Sequence, residues 1–158
     1  MFEHVGRANL GTYFGAAHDA LAPGGRFLNH GIASTRPAAG PGRRRRRARF
    51  VERYVFPDGE LVTVERAIEA ARATGFELLD VQSLRPHYAL TLRAWARGLE
   101  AAWPDALAMA GDEVARIWRL YMSAARLGFE RGELDVAQVL LARPAEDGPA
   151  GRPLRPWW

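Results

Sequence analysis

The chain has no lysine and no cysteine. The missing cysteines exclude disulfides, thiolate nucleophiles and cysteine-ligated metals from it. Because all 22 basic residues are arginine, in a chain rich in Ala, Gly and Pro, the basicity points to compositional bias in coding rather than to a selected binding surface. Five of them are consecutive, Arg43 to Arg47, and without those five the formal charge falls from +4 to −1. No apolar run approaches the ~20 residues of a membrane span, and no basic-then-apolar leader opens the chain. A soluble, cytoplasmic chain is the expectation. The nucleophile elbow G-x-S-x-G, the zinc helix H-E-x-x-H, the P-loop and the dinucleotide G-x-G-x-x-G are all absent, so no cofactor follows from local pattern.

What is present fits one ordinary domain. With 158 residues, 48% of them apolar and 25% charged, the chain can bury about 70% of its unfolded surface, as soluble globular chains do. Arg7 to Leu21 carries Leu10, Tyr13, Phe14, Ala17 and Leu21 at helical spacing, and Pro23-Gly24-Gly25 ends it. Arg26 to Ile32 reads as a short buried strand. Residues 34–49 are Pro, Gly, Ala and Arg without periodicity and read as a disordered Arg-rich loop. Val64 to Thr74 is a second helix and Phe76 to Leu84 a second strand. Pro86 suits the first turn of a third helix, stopped by Pro104. Val114, Ile117, Trp118, Tyr121 and Ala125 mark a fourth helix, and Val136 to Ala142 a strand apolar enough for burial on both faces. The Pro/Gly-rich tail, 144–158, joins no element. Three strands alternating with helices make an α/β domain over 1–143. A sheet this thin leaves an open edge where the chain begins, and a preceding strand is expected upstream of Met1.

The polar groups of interest lie where open α/β sheets hold ligands, beyond the carboxyl ends of strands. Glu3 follows the inferred upstream strand. Asn29 and His30 interrupt an apolar run, where a polar group needs a partner. Tyr88, beside His87, opens the helix after the second strand. A carboxylate, an imidazole and a phenol converging on one pocket could hold a small anion or move a proton. Plainer readings stand beside this one. Glu3 can be a helix-start acid favoured by the dipole, His30 a satisfied core histidine, and Tyr88 a routine amphipathic position. His4, His18 and His87 read as surface groups, and Trp95, Trp103, Trp118 and Tyr121 as core or a lipid-facing groove.

An ordered set of segments joins these pieces. Met1-Phe2-Glu3-His4-Val5-Gly6, Tyr13-Phe14, Leu28-Asn29-His30-Gly31-Ile32, Tyr54-Val55-Phe56-Pro57-Asp58-Gly59-Glu60-Leu61, His87-Tyr88-Ala89-Leu90-Thr91-Leu92-Arg93-Ala94-Trp95 and Trp118-Arg119-Leu120-Tyr121 resemble the C-terminal half of the cyclopropane-fatty-acyl-phospholipid synthases and mycolic acid cyclopropane synthases. The resemblance implies the C-terminal half of a Rossmann-like class I S-adenosylmethionine-dependent methyltransferase sheet, with the N-terminal half missing. It implies methylene transfer to the cis double bond of an unsaturated phospholipid acyl chain. It also implies a bicarbonate base held by Glu3, His30, Ile32 and Tyr88, with His30 balancing charge. The family's cofactor loop, acidic ribose ligand and cysteine would all lie upstream, so the chain alone is expected to be inactive. The implied setting is the inner face of the cytoplasmic membrane, with unsaturated phospholipid as partner and either a separate N-terminal half or a second copy as possible company. The rival reading is a basic module that binds nucleic acid or anionic lipid through Arg43 to Arg47. No aromatics are interleaved with those arginines, so nucleic acid is not expected.

Overall fold

In a computed structural model of the chain, residues 2–36, 46–57, 59–145 and 148 are described, with backbone alone for 46–49. Two short 3-10 turns, Phe2–His4 and Arg7–Asn9, lead into helix α1, Leu10–Ala20. Strand β1 is Arg26–Ser34, α2 is Arg46–Tyr54, α3 is Val64–Ala73 and β2 is Glu77–Ser83. Helices α4, Arg85–Ala101, and α5, Trp103–Glu130, precede β3, Leu134–Ala142.

Local chemistry sets most of these boundaries. Thr63 caps α3 by accepting the Arg66 N–H at 3.4 Å. Gly75, at φ +98°, takes the left-handed turn that ends it. Pro86 lies in the first turn of α4, as its missing N–H allows. Pro104 opens α5 by the same logic, so it is a starter as well as a stop. The fourth helix thus begins at Trp103 and is broken at Gly111, where φ +78° and ψ 165° leave helical space.

β3 lies between β1 and β2 and is antiparallel to both. β1 and β2 therefore point the same way, which follows from the connections. One helix on the sheet, α3, returns the chain from β1 to a parallel β2. Two helices, α4 and then α5, bring it back reversed for β3. Among the described residues β1 and β2 are the sheet's edges.

Each sheet face has its own core. Phe14, Ala71, Phe76, Ala137, Val139 and Leu141 close one face under α1 and α3. Leu92, Ala125, Phe129 and Val136 close part of the other under the α4–α5 hairpin. Arg143, just past β3, donates to the carbonyls of His18 at 3.2 Å and Leu21 at 2.8 Å, satisfying the last turn of α1.

Two expectations need correcting. β1 is not a uniformly buried strand: Asn29, Gly31 and Ala33 are buried, while Leu28 and His30, on the opposite face, are exposed. The Arg-rich loop is shorter than 34–49, because Ser34 still pairs with Leu134 and α2 starts at Arg46. Arginine is a good helix former, so its density does not mark a loop. Residues 37–45, and all of the tail but Pro144, Ala145 and Gly148, lie outside the described residues.

Candidate functional site

The site is built on the opening 3-10 turn. Phe2 is buried against β1, directly over Gly31, where an added Cβ would lie 2.8 Å from the Phe2 ring. Only a residue without a side chain lets that ring approach the strand so closely. The backbone carbonyl of Glu3 accepts the Glu60 N–H at 2.9 Å, tying the turn to the segment before α3. With its neighbour and backbone held, the Glu3 carboxylate is aimed: its Oε1 accepts the Ile32 N–H at 2.6 Å.

Burial pushes the Glu3 carboxyl up, but the N–H of Ile32, its own backbone N–H and the chain's terminal ammonium together pull it further the other way. The net result is below the ordinary value, so Glu3 is a carboxylate at neutral pH. Two phenols lie within its field. Tyr88 and Tyr13 are both raised, first by burial and then by the Glu3 charge. Tyr88 arrives from the start of α4, which Arg85 pins by donating to the Phe129 carbonyl at 3.2 Å, and its ring lies 5.0 Å from that of Phe129. Tyr13 arrives from α1, packs 5.7 Å from Phe2, and donates to Asn29 Oδ1 at 3.0 Å. This bond gives the buried Asn29 the partner its place in the strand demands.

His30 is not a core histidine. It is exposed, two residues from Ile32 on the same side of β1, and its Nδ1 lies 3.3 Å from Nε2 of Gln138 on β3. Of the four residues proposed from sequence, the structure thus joins Glu3 to Ile32 directly, puts Tyr88 within the Glu3 field, and sets His30 along the same strand. Ile32 contributes its backbone N–H, already bonded to Glu3. Sequence reasoning missed Tyr13, Gly31 and Gln138. Asn29 and Gln138 did carry a signal, as polar residues inside apolar strand runs.

An aromatic wall continues from Glu3. The His4 ring meets Phe56 at 5.6 Å, and Phe56 meets Tyr121 at 5.6 Å and Trp118 at 6.4 Å, each edge to face. Trp95 stands 6.1 Å from Tyr88 and is 53% exposed. A cleft of about 570 Å³ opens elsewhere, between α4 and α5, lined by Arg93, Ala96, Arg97, Glu100, Arg126 and Glu130. It is open and polar, and Glu100 pairs with Arg119 and Glu130 with Arg126. The convergent groups are at Glu3 rather than there.

Comparison with known proteins gives this arrangement a family. The family model described as mycolic acid cyclopropane synthetase matches residues 1–139. The chain belongs to that family. It is 41% identical to a probable fatty acid methyltransferase of Mycobacterium tuberculosis, over 99% of this chain and 36% of the relative. The structure of the cyclopropane synthase MmaA2 of the same organism matches with a TM-score of 0.82 and 33% identity, over 89% of this chain and 52% of that one. The mycolic acid cyclopropane synthase CmaA1, solved with SAH and CTAB, matches with a TM-score of 0.82 and 32% identity over the same shares. The chain spans between about a third and a half of the length of these family members. Its three strands and their helices are part of the family's α/β methyltransferase fold.

The two implied ligands fit differently. Among the described residues the left-handed glycines are Gly6, Gly24, Gly75, Gly111, Gly132 and Gly148; Gly24, Gly75 and Gly132 lie where a helix gives way to a strand, and none follows a strand to open a helix. Among the described residues there is therefore no glycine-rich strand-to-helix cradle for S-adenosylmethionine. For the second, the chain offers an acceptor in the Glu3 carboxylate and donors in an imidazole N–H and the Tyr88 hydroxyl. Among the described residues no cluster of His, Asp and Glu could hold a metal, and no helix is long and apolar enough to cross a membrane. Arg43 to Arg45 lie outside the described residues, and Arg46 and Arg47 open α2.

Proposed function

We propose that this chain forms the proton-accepting and lipid-facing part of an S-adenosylmethionine-dependent lipid methyltransferase of the cyclopropane synthase type. In this reading the whole enzyme adds a methylene across the cis double bond of an unsaturated phospholipid acyl chain, at the cytoplasmic face of a membrane. The observation that carries it is the 2.6 Å bond from the Ile32 N–H to Glu3, with the Tyr88 phenol in the same field. Bicarbonate, held by Glu3, His30 and Tyr88, would supply a base beside the reacting carbons. Glu3 keeps its charge because the Ile32 N–H, its own N–H and the terminal ammonium together outweigh its burial. Tyr88 stays a neutral donor because burial and the Glu3 charge both oppose its ionisation. The exposed rings of Trp95 and Trp118 offer the acyl chain an apolar wall that excludes water. The cofactor site lies on residues other than these, so the chain alone is inactive.

A second reading, methylation without ring closure, is favoured by the 41% identity to a protein named a fatty acid methyltransferase. One experiment separates them. The chain is joined to the preceding portion of that relative and incubated with S-adenosylmethionine and vesicles of cis-monounsaturated phosphatidylethanolamine. Acyl chains heavier by one methylene, with the double bond gone and a cyclopropane signal in the proton NMR spectrum, are expected. Glu3→Gln and Tyr88→Phe chimeras should lose most of that product. A methyl branch without a ring would favour the second reading. An active chimera indifferent to both substitutions would remove the site assignment.

A further inference from the structure

The cleft between α4 and α5 holds no acid–base group of the kind found at Glu3, but its charges do not balance. Arg93 and Arg97 line it from α4, one turn apart, a spacing at which like charges repel. Elsewhere on α5 such a charge is met one turn away, as Arg116 is by Asp112 and Arg126 by Glu130. Neither Arg93 nor Arg97 has an ion pair or hydrogen bond among the described residues. The two carboxylates of the cleft are already engaged, Glu100 by Arg119 and Glu130 by Arg126.

Arg126 lines the same cleft from α5. Its Nε is buried and makes no hydrogen bond with a described residue. Glu130 Oε1, 3.2 Å away, gives it an ion pair without the alignment of a hydrogen bond. A buried donor without an acceptor costs free energy that a bound acceptor would recover. Four guanidiniums, counting Arg119, thus stand around two carboxylates, and the cleft of about 570 Å³ has room for a small ligand.

We propose that this cleft is a binding site for the phosphate group of a phosphate ester, held by Arg93, Arg97 and Arg126. A guanidinium fork matches carboxylate and phosphate oxygens alike. A carboxylate, however, presents one planar edge, whereas a tetrahedral phosphate offers oxygens to guanidiniums arriving from both helices at once. The site is separate from the one at Glu3 and does not rest on its reading. Arg97 lies nine residues beyond Tyr88 on α4, about two and a half turns, so it projects from the other side of that helix.

The test titrates inorganic phosphate into the 158-residue chain while proton–nitrogen NMR follows the arginine Nε–H signals. Those of Arg93, Arg97 and Arg126 should move together and saturate, with Arg126 moving furthest as its Nε–H gains an acceptor. Acetate at equal concentration should leave them in place. Arg97→Gln, at an exposed position outside the core, should weaken phosphate binding about tenfold, as loss of a charged hydrogen bond does. Arg116→Gln removes an arginine that Asp112 already holds and should leave binding unchanged. Co-sedimentation with phosphatidylcholine vesicles containing phosphatidic acid identifies the source of the phosphate. Vesicle binding that Arg97→Gln weakens assigns the cleft to a lipid headgroup, and phosphate binding without it assigns the cleft to a soluble phosphate ester. An equal response to acetate, shifts that do not saturate, or equal phosphate affinity in Arg97→Gln and the wild type overturns the proposal.

Discussion

The Ile32 N–H and the Glu3 carboxylate, 29 residues apart, meet at 2.6 Å, so the edge strand and the opening turn share one hydrogen bond. Its consequence is a pH signature. The folded carboxyl is depressed, so its contribution to stability is present above the unfolded value of about 4.3 and is lost as pH falls through the folded value. Glu3→Gln keeps an oxygen for Ile32 but loses the charge, and should cost about 1 kcal/mol at pH 7. Urea midpoints of the two proteins should converge as pH is lowered below about 4.3. A constant gap across that window would show that Glu3 does not carry its charge into this bond.

The same carboxylate acts on two phenols. Tyr13 and Tyr88 are raised by burial and then by Glu3, so the folded state holds their protons more tightly than the unfolded state does. That contribution is complete below about pH 10 and is lost as pH rises through the folded values. Absorbance titration of tyrosinate should therefore show Tyr13 and Tyr88 ionising late. In Glu3→Gln both should move down, though not fully to the ordinary value, because the burial part remains. Two late phenols indifferent to Glu3→Gln would break the link between the three residues.

How far the sequence could be read depended on the range of the interaction concerned. The helices of Val64 to Thr74 and the one opened by Pro86 rest on local caps and spacing, and they stand where those signals put them. The order of the strands was not legible, because two helices separate each successive pair although β1 and β2 run parallel and β3 runs against both. Exposure of His30 was not legible, because strand alternation says which residues share a face but not which face is covered. Helix α2 was hidden by the Pro/Gly-rich stretch before it. Glu3, His30, Ile32 and Tyr88 could be singled out from ordered motifs, but Gln138 becomes visible only once the β1–β3 register is known.

Gly31 is the residue on which the aim of Glu3 depends. A Cβ there would lie 2.8 Å from Phe2 Cδ1 and 3.1 Å from Phe2 Cβ, so Gly31→Ala must displace the buried ring. Overpacking of this kind costs about 1–3 kcal/mol. It should also shift the neighbouring Glu3 away from Ile32, so the acid-dependent part of stability should shrink along with the total. Loss of stability with the pH dependence of Glu3 intact would mean that Phe2 and Glu3 are positioned separately.

Tyr88 touches two aromatic rings that should answer differently to removal. Phe129 is 1% exposed and its centroid lies 5.0 Å from that of Tyr88; Trp95 is 53% exposed and 6.1 Å away. Phe129→Ala empties the core beneath the α4–α5 hairpin and should cost about 3–5 kcal/mol. Trp95→Ala gives up one edge-to-face pair, a loss of about 0.5–1.5 kcal/mol, because most of its ring is already in water. If the exposed ring serves the acyl chain, its effect should instead appear in lipid binding. Co-sedimentation with unsaturated phospholipid vesicles should weaken several-fold for Trp95→Ala while its melting curve stays near wild type. Equal binding by the two proteins would assign the wall to some other face of the hairpin.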